Sequence, residues 1–137
     1  MIEHLAGGLL ALDVGLSASS FGFDKDRSFY PVILIVVASY YVLAAAIAGS
    51  NIAFSSELAV FMVLLGVAVI GSKRRPLLVA AGLIAQGIYE IFHSHIVDNP
   101  GVPIWSQGFR LSFDFTAGTY LIGLFAWRRR RKSANVA

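Results

Sequence analysis

The chain contains no cysteine, which excludes disulfides, thiol nucleophiles and thiolate metal sites. Charge is scarce as well. Asp, Glu, Lys and Arg make up 14% of the 137 residues, against roughly 25% in an ordinary soluble domain. Histidine occurs three times, so any imidazole chemistry falls to very few groups. The sequence holds no glycine-rich phosphate loop and no nucleophile motif. It has no Lys or Arg before Lys25, whereas a secretory signal wants a basic start. Linkers of low complexity and internal repeats are also missing, and the length is that of one domain, residues 1–137.

What remains is largely apolar. Hydrophobic residues make up 57% of the chain, and the mean hydropathy is +0.72. The apolar residues are gathered into runs near the roughly 20 residues that a helix needs to cross a bilayer. These runs cover residues 29–49, 54–72, 77–97 and 109–127. The last includes Arg110 and Asp114, yet it ends abruptly at "WRRRR". The expected fold is therefore all-α, an integral membrane helical bundle with four long transmembrane helices. Residues 1–23 carry Leu5, Leu9, Leu12 and Leu16 at helical spacing, with Asp13, Ser17 and Ser20 on a second stripe. They read as a fifth span or as an amphipathic helix inserted part-way, and the fifth span is favoured.

The net charge of +3 and the isoelectric point near 9.5 do not point to nucleic acid. The basic residues are concentrated in "KRR" (Lys73 to Arg75) and "RRRRK" (Arg128 to Lys132), each at the end of an apolar run. That is the positive-inside pattern, and the tail at 128–137 also suits anionic headgroups. The expected arrangement is multi-pass, with the C-terminus cytoplasmic. The connection near Ser50 and the loop 98–108, which lack Lys and Arg, then face outward.

In that topology the ionisable residues within the spans share the outer half of the membrane. Gln86, Glu90 and His93 lie on one face of the third long span, Glu57 opens the second, and Arg110 and Asp114 are one turn apart at the start of the fourth. Intramembrane ionisable groups are rare and face a bundle interior or a wet cavity. The expected ligand-binding set is Tyr40, Gln86, Glu90, His93, Trp105, Arg110 and Asp114. Tyr40 and Tyr41 sit mid-span, and at least one hydroxyl needs a polar partner such as Glu90. Val102, Pro103, Ile104 and Trp105 either fold back as an apolar lid or form a plain interfacial connector.

A second expectation is a metal site from Glu90, His93, His95 and Asp114. Its mixed nitrogen and oxygen donors suit a transition metal such as zinc or iron. Residues two apart diverge on a helix, so the "HSH" pair needs the helix to unwind near Ser94. The Glu-x-x-His spacing of Glu90 and His93 occurs once, whereas di-iron bundles need it twice. The competing reading has Arg110 pairing with Asp114 or Glu90, and His95 exposed. On the basic side, Asp24 and Asp26 form a DxD pair that holds a cation on a phosphate or simply serves as solvated caps.

"FYPVILIVVASYYVL" together with "HSHIVDNPGVPIW" resembles a family of short proteobacterial inner-membrane proteins. The most specific parts are "DxDRxFYP", here from Asp24 to Pro31, and "NPGVPxW", here from Asn99 to Trp105. The resemblance implies a polytopic membrane fold and no particular chemistry. Family members often carry a second tryptophan after the one matching Trp105. Ser106 stands there instead, a departure from that pattern.

Three functions fit these residues. The first is a membrane protein that binds or transports a small polar ligand, metal ion or proton in an outward polar pocket. The second is a membrane-embedded enzyme acting on a lipid or quinone. The third is an accessory subunit of a larger membrane complex. The lipid bilayer is the expected partner, a homo-oligomer is compatible with the small residues of the spans, and nucleic acid is not expected.

Overall fold

The computed structural model describes residues 1–136 and is all-α. Five helices follow in order: α1 (Ile2–Phe21), α2 (Phe29–Ile47), α3 (Asn51–Lys73), α4 (Pro76–Ile96) and α5 (Ile104–Val136), with a 3-10 turn at Phe23–Lys25 between the first two. Local chemistry sets several of these boundaries. The Ser50 hydroxyl accepts a hydrogen bond from the Ala53 amide and caps α3. Pro76 opens α4, where its missing N–H does no harm.

Three helices are long and apolar enough to cross a membrane: Phe29–Ile47, Asn51–Lys73 and Pro76–Ile96. α1 and α5 do not meet the same measure. The expected outer loop is shorter than 98–108, because α5 already begins at Ile104. Its basic end is no separate tail either, since the helix continues to Val136.

α4 lies at the centre and packs on α2, α3 and α5, while α1 lies along α5. Its buried face runs Val79, Ala80, Gly82, Leu83, Gln86, Gly87, Glu90 and His93, one continuous stripe at helical spacing. The stripe changes character along its length. Towards the end that carries the basic clusters, it joins Leu34, Ala38, Leu64, Ala68, Ala117 and Leu121 in an apolar core. Towards the other end, beside the loop between α4 and α5, it is polar.

The leucine stripe of α1 faces outward, contrary to its use in a water-soluble helix. Leu5, Leu9, Leu12 and Leu16 are exposed, while Gly7, Ala11, Gly15 and Ala18 are buried. Small residues at three- and four-residue spacing let two helix backbones approach closely, which is how helices associate in lipid. A methyl group on Gly7 would sit 2.0 Å from the Phe109 carbonyl oxygen of α5. Among the small residues of the spans, Ala44, Ala45 and Gly82 are buried, whereas Ala48, Gly49, Ala81 and Ala85 are exposed.

Gly7→Ala is therefore expected to destabilise the bundle by about 1–3 kcal/mol, the usual cost of overpacking. Gly66→Ala, whose added methyl meets nothing within 4 Å, should gain up to about 1 kcal/mol from helix propensity. Reversible unfolding in mixed micelles measures both, and equal effects would contradict this account of the α1–α5 contact.

Candidate functional site

The loop end of the bundle holds a buried polar core from four helices and one loop. Glu57 comes from α3, Gln86, Glu90 and His93 from α4, Asn99 from the loop, and Arg110 and Asp114 from α5; none is more than 8% exposed. Tyr41 of α2 completes it at 2%. Charged groups in such a place persist only if paired and hydrogen-bonded, and most of these are.

Two ion pairs organise the core. The His93 Nε2 lies 2.5 Å from the Glu57 Oε1. The same carboxylate accepts from Tyr89 at 3.0 Å and from the Asn99 side-chain amide at 3.2 Å. In the second pair, an Arg110 nitrogen lies 3.0 Å from the Glu90 Oε1 and donates to the Val37 carbonyl at 2.9 Å. Tyr41 donates its hydroxyl to the other Glu90 oxygen. The Gln107 amide donates to the backbone carbonyl of Glu90, which ties α5 to α4 a second time.

Aromatic rings join the two pairs. The Tyr41 ring stacks on the His93 imidazole at 3.8 Å with an interplanar angle of 6°. The Arg110 guanidinium lies 3.9 Å from the centre of the Tyr41 ring and 4.5 Å from that of Tyr40, a cation–π arrangement that strengthens when desolvated. Tyr41 thus touches both pairs at once, by its hydroxyl and by its face.

Some groups lack partners. Asp114 is wholly buried, and neither carboxyl oxygen has a hydrogen-bond partner; the same holds for the Gln86 Oε1 and for two guanidinium nitrogens of Arg110. Asp114 packs against Gly87 of α4, one turn below Arg110 on its own helix.

The expected residues divide accordingly. Glu90, His93 and Arg110 are bonded within the core, and Gln86 and Asp114 are buried in it. The Arg110 partner is Glu90 and not Asp114. Tyr40 lies beside Arg110, but the hydroxyl that reaches Glu90 is that of Tyr41. Trp105 is 63% exposed at the start of α5, and Pro103 and Ile104 are exposed beside it, so they do not fold back as a lid. The loop is held instead by Asn99, which donates to the Tyr41 carbonyl at 3.0 Å. Gly101 presses so closely on the backbone of Ala44 that an added methyl would sit 2.0 Å from its carbonyl oxygen.

The four residues expected to form a metal site do not converge. α4 stays helical through Ile96, which leaves His95 exposed on another face, while His93 bonds Glu57 and Glu90 bonds Arg110. Among the described residues no group of three or more His, Cys, Asp or Glu is arranged to hold a metal ion. Glu57, read only as an acid opening its span, and Asn99 are members that the expected ligand-binding set omits. No family model, curated protein or solved structure matches the chain.

Truncating Arg110 to Ala leaves Glu90 buried without its cation and is expected to destabilise the fold by about 3–5 kcal/mol. Replacing Arg110 and Glu90 together by Met removes both charges and should cost clearly less. Comparing the two by reversible unfolding tests the assignment, and a double variant as unstable as the single one would contradict it.

Proposed function

We propose that the chain is a small polytopic membrane protein that binds a proton or a small cation in the polar core of its outer half. One observation carries this reading: Asp114 is fully buried and unpartnered beside a guanidinium already engaged by Glu90. The core holds three carboxyl groups, Glu57, Glu90 and Asp114, against Arg110 and His93. Even with the imidazole charged, one carboxyl lacks a counterion. Leaving a bare charge in such surroundings is costly, and one proton or one monovalent cation restores neutrality. Buried Asp, Glu and His side by side are the groups that relay protons in membrane pumps and transporters.

α1 and α5 complete the membrane-embedded bundle in this reading. The outward leucines and inward small residues of α1 support its insertion as a fifth span. The positions of Lys73 to Arg75 and Arg128 to Lys132 support a cytoplasmic C-terminus. The bacterial inner membrane is the compartment implied by the family resemblance.

An enzyme acting on a lipid or quinone draws less support, because its substrate would have to reach Glu90, which is 0% exposed. The accessory-subunit reading is favoured by a specific observation. Both ion pairs close within this one chain, as they would if the core served only to fix the helices.

Difference infrared spectroscopy of the protein in bilayers separates the two. A carboxyl carbonyl band that titrates with external pH and disappears in Asp114→Asn is the expected result. Added sodium or potassium at fixed pH should abolish that band if the cation replaces the proton. A core that is only structural would show no titrating carboxyl band in either protein.

A further inference from the structure

The opposite, basic end of the bundle holds a cavity of about 600 Å³. It lies between the 3-10 turn, the starts of α2 and α4, and the last turns of α5. Its floor is apolar, from Val79, Leu121 and Phe125. Its rim carries six cations, among them Lys25, Arg27, Arg129 and Lys132, and two carboxylates.

Both carboxylates are already occupied. Asp24 pairs with Arg128 at 2.9 Å and accepts from Ser19 at 2.6 Å. Asp26 accepts from the Ser28 amide at 3.0 Å and from its hydroxyl at 2.5 Å. Those two bonds hold the Asp26 carboxyl below its ordinary range. Among the described residues, Lys25, Arg27, Arg129 and Lys132 make no salt bridge. The rim therefore keeps a surplus of positive charge facing the cavity.

A second observation points to a ligand. Tyr30 lines the cavity at 6% exposure, and its buried hydroxyl has no hydrogen-bond partner. Such a hydroxyl is a donor waiting for an acceptor. A phosphate oxygen lying among cations is an acceptor of the right charge.

The apolar floor does not stop at the rim. A neighbouring groove of about 520 Å³ shares Phe125 and Arg129 with the cavity and is lined by Leu77, Ile122 and Ala126. Leu77 and Ile122 are exposed on the outer face of the bundle, where a membrane helix meets acyl chains. A basic chamber joined to an apolar groove fits an amphiphile better than a free anion.

We propose that this end of the molecule binds an anionic phospholipid, its phosphate in the cavity among Tyr30, Arg129 and Lys132 and one acyl chain along Leu77 and Ile122. The proposal rests on the chain lying in a membrane, but not on proton or cation binding at the other end. A result at Asp114 therefore leaves it untouched.

The test uses the full chain in detergent, titrated with phosphatidylglycerol and, in separate arms, with phosphatidylcholine, glycerol phosphate and inorganic phosphate. Thermal stability and native mass spectrometry give the readouts. Phosphatidylglycerol should stabilise the protein and stay bound. Arg129→Gln with Lys132→Gln should weaken that binding about 25-fold, from roughly fivefold per interfacial charge. Tyr30→Phe should weaken it about threefold or more through the lost hydrogen bond. Lys73→Gln with Arg75→Gln removes the same charge near the same end without touching the cavity, and should change binding little. Equal weakening by the two charge pairs, or an equal response to phosphatidylcholine, would overturn the proposal. An equal response to inorganic phosphate would overturn the lipid as occupant and leave a phosphate site.

Discussion

Arg110 brings a guanidinium into the polar core, and three helices are arranged around it. From α5 it reaches the Glu90 carboxylate on α4 and the Val37 carbonyl on α2, and its flat face lies on Tyr41. A guanidinium suits this role because its planar fork donates along several directions while its face stacks on aromatic rings. In a low-dielectric interior such a group is tolerable only when its surroundings are complementary. That requirement constrains the rotation of α4 and α5 about their axes.

The Glu57–His93 pair performs the matching task between α3 and α4. Tyr41, stacked on His93 and bonded to Glu90, makes the two pairs one network. Asn99 then closes the loop over it with bonds to both α2 and α3. Disturbance of one pair is felt by the other through the shared ring, because groups in one network couple. Against this economy of partners, the solitary Asp114 is the feature that stability alone does not account for.

The two ends of the bundle are built on different physics. The loop end buries polar groups and satisfies most of them by pairing, Asp114 apart. The basic end keeps an apolar interior and places its charge at the rim, where Arg128 and Asp24 tie α5 to the 3-10 turn. Between them, small residues on α1 bring its backbone against α5, and the leucines turn outward. This is the reverse of a water-soluble helix, and close packing of small residues supplies the attraction between the two backbones.

Much of this was legible in the sequence. The apolar runs mark α2, α3 and α4, since a run near 20 residues reflects bilayer thickness and nothing about neighbours. Placing Glu57, Glu90, His93, Arg110 and Asp114 at one end needed only the direction in which each helix runs. Partner choice was not legible. Tyr40 and Tyr41 differ by about 100° of helix rotation, from 3.6 residues per turn, and only that rotation decides that Tyr41 meets Glu90. Trp105 looked like a lid by its loop position, but α5 starts one residue before it and turns it outward. His95 looked like a ligand by its proximity to His93, but an intact helix separates them. The sequence by itself determined the helices and the end at which their polar groups collect, because these follow from local composition and charge. Tertiary structure alone decided which groups pair and which one is left over, because pairing across helices depends on axial offset and rotation set by contacts distant along the chain.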